Sequence, residues 1–240
     1  MDITKITRPV RKLLPLKTCG AVIVAAGNAS RMGGIDKVMA ELKGEPMIVR
    51  TVRNFQNCDA ISEIVIVTRE DLILPISNLC KGMGKVKAVV SGGKSRQESV
   101  HLGLNALSDK VQLAAIHDGA RPLITWQVID RVVRAAHTHS AAAPAIPVKD
   151  TIKVVEGRVV KYTPDRATLV AVQTPQVFDF DLLRGALKKA ELDDYAVTDD
   201  ASAVEYMGMK VKIVEGDERN LKVTTPMDLK IAEMLLEELT

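Results

Sequence analysis

No sign of charge dominates this chain: 33 basic side chains face 30 acidic ones, a formal +3 over 240 residues. So even a balance argues against a general nucleic-acid binder, which needs a marked basic excess. No apolar run approaches the roughly 18 to 20 residues that span a bilayer, and the basic start has neither the apolar stretch nor the cleavage site of a secretory signal. A cytoplasmic protein with no membrane and no nucleic-acid partner is therefore expected. Cysteine is scarce too. Cys19, Cys58 and Cys80 stand far apart, odd in number and without a C-x-x-C pair, which excludes a disulfide framework and fits reduced thiols buried as small apolar side chains. Internal repeats, low-complexity tracts and linkers are also absent.

What remains is a chain that is 47% hydrophobic and long enough to bury a full core. Residues 1–18 carry Lys5, Arg8, Arg11, Lys12 and Lys17 against the single acid Asp2, and Pro9 and Pro15 interrupt any helix. They read as a flexible N-terminal extension, ahead of a single domain over 19–240.

From Cys19 onward, strand-like apolar runs alternate with helical periodicity, the pattern of a mostly parallel sheet covered on both faces. The short run CGAVIVA suits a strand buried on both sides. Pro46 opens a helix with Ile48, Val52 and Phe55 on one face, and Ile64–Val67 and Val86–Val90 are further strands. Ser95 with Glu98 forms a capping-box pattern before a helix that turns Val100, Leu104 and Leu107 inward. Leu113–Ile116 is a strand, Thr125 caps a helix through His137, and Ala143–Val148 is the next strand. After Pro147 the pattern changes. Thr151–Val155 and Arg158–Tyr162 flank Glu156-Gly157, which reads as a two-residue hairpin turn, and Val170–Val172 leads back. Residues 148–172 thus form an antiparallel β-arm inserted in a Rossmann-like α/β fold. Helices are expected at Leu182–Ala190, Ala201–Tyr206 and from Pro226, with a strand at Val211–Val214.

Two familiar phosphate-binding patterns are missing. A dinucleotide fingerprint fails because Gly27 is followed by Asn28, Ala29, Ser30 and Arg31. Gly93-Lys94-Ser95 ends like a P-loop, but the earlier glycine position is Ala88, inside a strand. The turn after the first strand nevertheless has small residues that let a polyanion approach backbone N–H groups, with Arg31 and Lys37 beside it, a design that suits a nucleoside triphosphate. Asp118, at the carboxyl end of its strand, lies where open α/β sheets bind ligands. It can approach Mg²⁺ held chiefly by a triphosphate, or pair with Arg121 in the turn. His117 reads as structural, and Thr198, Asp199 and Asp200 as a helix cap with acids in the first turn.

Seven blocks in order carry a resemblance: VAAGNASRM with Lys37, GGKSRQESVHLGL, HDGARP, PVKDT, QTPQVF, TDDAS and LKVTTPMDL. Together they resemble the 2-C-methyl-D-erythritol 4-phosphate cytidylyltransferases of isoprenoid biosynthesis, from about residue 19 onward. Ala29 stands where a glycine is common in that family. The resemblance implies a nucleotidyltransferase fold, CTP and a polyol phosphate as substrates, and Mg²⁺ as cofactor. It implies Ala25, Ala26 and Gly27 at ribose and phosphate, Gly92, Gly93 and Ser99 near cytosine, and Arg31 and Lys37 as transition-state cations. Arg121, Thr151, Arg166 and Thr174 would hold methylerythritol phosphate, with Arg166 and Lys222 aligning its phosphate for attack. It further implies a homodimer whose arms cross to the partner's active site. A cytidylyltransferase for another polyol phosphate, such as ribitol 5-phosphate, is the competing expectation.

Overall fold

The computed structural model describes residues 17–27 and 37–237. The expectation of a flexible extension falls mainly on residues 1–16, outside the described residues. The strands are β1 (Cys19–Ala25), β2 (Glu41–Leu42), β3 (Glu45–Pro46), β4 (Glu63–Thr68), β5 (Val86–Ser91), β6 (Leu113–Asp118), β7 (Ala141–Pro147), β8 (Val154–Glu156), β9 (Val159–Tyr162), β10 (Val170–Val172), β11 (Gln176–Asp179) and β12 (Lys212–Glu215). The helices are α1 (Met47–Gln56), α2 (Ile73–Leu79), α3 (Arg96–Asn105), α4 (Trp126–His139), α5 (Phe180–Leu192), α6 (Asp200–Tyr206) and α7 (Pro226–Glu237).

The central eight-stranded sheet runs β5-β4-β1-β6-β11-β7-β10, with β12 also along β7. Strand β1 pairs in parallel with β4 and β6, whereas β11 is antiparallel to both β6 and β7. Burial explains why β1 tolerates no polar side chain: Ala21 and Ile23 face α1 and α4, and Val22 faces α3 and α5. Ile48, Val52 and Phe55 of α1 and Val128, Val132 and Ala136 of α4 are fully or almost fully buried, the faces the spacing predicts. Chain order leaves β1 for β4 on one side and returns to β6 on the other. The sheet's switch point therefore lies between the ends of β1 and β6, where such folds open a crevice.

Several local expectations shift. Glu156 pairs with Val159, so the hairpin turn is Gly157-Arg158, one residue later than expected. Gly157 adopts φ +58 there, which the missing Cβ permits. Thr125 sits at the N-cap of α4 but its side chain makes no cap bond. Ser95 does cap α3, accepting from Glu98 N at 3.0 Å, while the Glu98 carboxylate reaches past the cap to Lys94 N. The cap on α6 is reciprocal: Asp199 accepts from Ser202 N, and Ser202 Oγ accepts from Asp199 N. Strand β11 and helix α2 were not expected at all.

The β-arm leaves from the end of β7 and comes back as β10, which runs antiparallel on β7 itself. Gln173 N donates to Pro144 O, a cis Thr174–Pro175 bond follows, and β11 resumes the pairing further along β7. Val155, Val159, Val160 and Tyr162 of the arm are exposed.

Candidate active site

A cleft of about 530 Å³ opens at the switch point, lined by Ala25, Ala26 and Gly27 at the end of β1, Ser91 to Arg96 from the end of β5 into α3, Ser99 of α3, Asp118 and Ala120 at the end of β6, and Lys222. Its two walls touch because one residue has no side chain. A Cβ on Gly92 would stand 2.4 Å from Ala26 Cβ and 2.9 Å from Ser99 Oγ, so only glycine lets the loops after β1 and β5 close together. Ser99 Oγ then accepts from Gly93 N at 3.1 Å and donates to Ser95 O at 2.9 Å, pinning the loop to its own helix.

The floor is a charge cluster. Asp118 lies 2.8 Å from Lys222 Nζ and 3.6 Å from both Arg96 Nε and Arg121 Nε. Burial alone would push the carboxyl up, but Lys222, Arg96 and Arg121 outweigh it and hold its pKa at about 2. Arg96 is also tied to the buried Asp200 of α6 at 2.7 Å. Lys222 is aimed by its neighbours in sequence: Val223 N donates to Ala120 O at 2.8 Å, and Asn220 O accepts from Arg121 Nη1 at 2.6 Å. Arg121, largely buried, has its pKa lowered by desolvation, with Asp118 opposing. Its pairing with Asp118 is the one the turn suggested. The roles of Arg96, Asn220 and Asp200 had no sequence signal, because each depends on partners distant in the chain.

The expected residues divide into four groups. Ala25, Ala26, Gly27, Gly92, Gly93, Ser99, Asp118 and Lys222 line one cleft, and Arg121 packs directly behind Asp118. Thr174 is 5% exposed and lies behind the cleft, its hydroxyl accepting from Asp118 N at 3.2 Å. Thr151 and Arg166, on the arm, are exposed and do not line this cleft. Arg166 Nη1 donates to Lys149 O at 2.7 Å. Arg31 and Ala29 lie outside the described residues, as does the side chain of Lys37, whose backbone opens a 3-10 turn at Lys37–Met39.

Among the described residues, no group of three metal-ligating side chains occurs. Asp118 offers a single hard carboxylate on the cleft floor, which suits Mg²⁺ held by one protein carboxylate together with phosphate oxygens.

A Rossmann-like sheet with its cleft at the switch point, glycine-tight walls and a cationic floor defines an α/β protein built to hold phosphorylated nucleotides. The chain belongs to the 2-C-methyl-D-erythritol 4-phosphate cytidylyltransferase (IspD) family, whose model matches residues 19–238. It is 47% identical over 219 residues to the enzyme of that name from Symbiobacterium thermophilum, covering 90% of this chain and 92% of the relative. It is 44% identical over 219 residues to that of Geobacillus kaustophilus, covering 90% and 96%. Among solved structures it resembles the 4-diphosphocytidyl-2C-methyl-D-erythritol synthase of Anaerococcus prevotii, with TM-score 0.84, 31% identity, and 92% and 96% of the two chains covered. The Thermus thermophilus cytidylyltransferase superposes with TM-score 0.75 at 32% identity, covering 90% and 98%.

Proposed function

We propose that this protein transfers CMP from CTP to 2-C-methyl-D-erythritol 4-phosphate, releasing pyrophosphate and forming 4-diphosphocytidyl-2-C-methyl-D-erythritol, an isoprenoid precursor. The observation that carries the reading is the cationic cleft at the β1–β6 switch point in a chain of this family. A phosphate monoester oxygen of the polyol attacks the α-phosphorus of CTP, the new P–O bond forms, and the bond to pyrophosphate breaks. The monoester is mostly dianionic near neutral pH, since its second pKa is about 6. No general base is needed.

Two polyanions must be brought together, so catalysis is charge and position. Ala25 to Gly27 and Gly92, Gly93 and Ser99 receive the nucleotide. Arg31 and Lys37 stabilise charge gathering on the α-phosphoryl oxygens, one as a planar fork and one as a compact cation. Lys222 and Arg121 draw in the polyol phosphate beside Asp118. Asp118 is the residue that would hold Mg²⁺ against the triphosphate, and the ion would supply neutralisation of phosphate charge.

The arm is the dimer element of this reading. Its exposed Val155, Val159, Val160 and Tyr162 support a surface that meets a second copy, and Thr151 and Arg166, away from the chain's own cleft, support service in the partner's. Thr174 acts from behind, through the Asp118 backbone.

The test incubates pure protein with Mg²⁺, CTP and either methylerythritol phosphate or ribitol 5-phosphate while pyrophosphate is followed. Release with the former is expected; preference for ribitol phosphate would overturn the substrate assignment.

A further inference from the structure

His117 is fully buried in β6, and the transfer proposed above gives it no bond to make or break. Its ring packs 4.8 Å from Phe55, centroid to centroid. Both polar edges are engaged: Nδ1 lies 3.0 Å from Thr174 Oγ1 and Nε2 lies 3.3 Å from Arg121 O. A main-chain carbonyl only accepts, so Nε2 carries the proton and Nδ1 is left to accept from the Thr174 hydroxyl. That hydroxyl in turn accepts from Asp118 N at 3.2 Å. Each bond in the chain therefore has one direction, from Asp118 N–H through Thr174 and His117 to Arg121 O.

The chain also closes on itself. Arg121 Nη1 donates to Asn220 O, and Asn220 Nδ2 donates back to Thr174 O at 2.9 Å. Three segments distant in sequence are joined: the turn after β6, the step where the arm re-enters the sheet, and the loop that carries Lys222.

We propose that His117 is a positioning residue for the transfer reaction: as the Nε2–H tautomer it locks the Asp118–Arg121 turn onto Thr174, so that Asp118, Arg121 and Lys222 are held in one arrangement. The inference rests on the functional reading above. An imidazolium would present a second proton to a hydroxyl that already donates, and would break the chain. The ring's full burial opposes that state, because a charge there would lose its hydration. With both nitrogens occupied inside the core, the ring has no route to exchange a proton with substrate. Its contribution is rigidity: along the three bonds from Asp118 N to Arg121 O every donor and acceptor is paired, and such a buried run favours a single geometry.

The experiment compares His117→Phe, Thr174→Val, Thr174→Ser and the double variant His117→Phe/Thr174→Val by steady-state pyrophosphate release, with CTP affinity measured separately by calorimetry. His117→Phe keeps a ring against Phe55 and removes both hydrogen bonds. It is expected to raise KM for the polyol phosphate and depress kcat, a combined loss of about tenfold to a hundredfold in kcat/KM, with CTP affinity nearly unchanged. Thr174→Ser should restore most of what Thr174→Val loses. The double variant should be no worse than the weaker single one, because both cut the same chain. Wild-type kinetics in a folded His117→Phe, or losses that multiply, would overturn the proposal. Should that variant fail to fold, imidazole ¹⁵N spectra of the wild-type protein between pH 6 and 8 decide: a proton on Nε2 with a bare Nδ1 supports it, and a proton on Nδ1 overturns it. The spectra read the tautomer with or without turnover, whereas a wild-type protein inert toward CTP and methylerythritol phosphate would reject the functional reading instead.

Discussion

Lys222 Nζ stands 2.8 Å from Asp118 Oδ2 across the floor of the cleft, and the backbone on either side of Lys222 is bonded to the turn that Asp118 begins. The lysine is thereby preorganised before any phosphate arrives. In the proposed reaction its ammonium, 41% exposed, would trade a carboxylate for a substrate oxygen.

Asp118 should leave a mark on acid stability. Its folded pKa of about 2 lies below the unfolded value, so its stabilisation is present above roughly pH 4 and is lost as pH falls toward 2. The linkage amounts to about 2 kcal/mol. Denaturant melts of the wild type and Asp118→Asn at pH 5 and pH 2 check this: the gap between them should narrow by that amount. A constant gap would mean that the three surrounding cations do not favour the ionised carboxylate.

Arg31→Gln and Lys37→Met should each depress turnover on the order of 100-fold to 1000-fold, the cost of losing one preorganised donor to a developing charge. Sedimentation should report an unaltered assembly in both. Rates near those of the wild type would remove these residues from transition-state stabilisation.

Gly92→Ala forces a methyl against Ala26 and Ser99. The loops after β1 and β5 must part, at a cost of about 1 to 3 kcal/mol typical of overpacking. CTP affinity by calorimetry should fall roughly tenfold or more, while the fold remains intact by circular dichroism.

Exchange of the arm can be read by mixing two inactive proteins. Arg166→Ala damages the arm's contribution and Lys37→Ala the cleft's; if each arm serves the other subunit, a heterodimer retains one site with both intact. Equimolar mixing with subunit exchange should recover roughly a quarter of wild-type activity. No recovery, with exchange verified, would assign Arg166 to its own chain.

Much of the scaffold is legible from short-range pattern. β1 announces itself because a seven-residue run with no polar side chain has nowhere to go but between two strands, and α1 and α4 because their apolar positions recur at helical spacing. Strand β11 escapes because four residues after Pro175 carry little periodic signal, and its place between β6 and β7 is decided by tertiary pairing. Helix α2 escapes because Pro75 lies inside its seven residues, where proline is tolerated only near the first turn. In the site, the glycines and Asp118 are visible from their position after strands. Arg96 holding both Asp118 and Asp200, and Asn220 bridging Arg121 to Thr174, are not. Such contacts join side chains whose separation in sequence carries no period, so no window of residues contains them.

The arm departs from β7 and rejoins that same strand through β10, which makes everything from the hairpin tip to its base a detour rather than a rung. Insertions, deletions or exchange confined to the β8–β9 hairpin would leave each ladder of the central sheet intact, because that hairpin pairs only with itself. With Thr151 and Arg166 kept, the surface that the exposed Val155, Val159, Val160 and Tyr162 present can be retuned by sequence drift or by design without touching the chain's own cleft, making it the natural place to engineer altered pairing between otherwise equivalent chains.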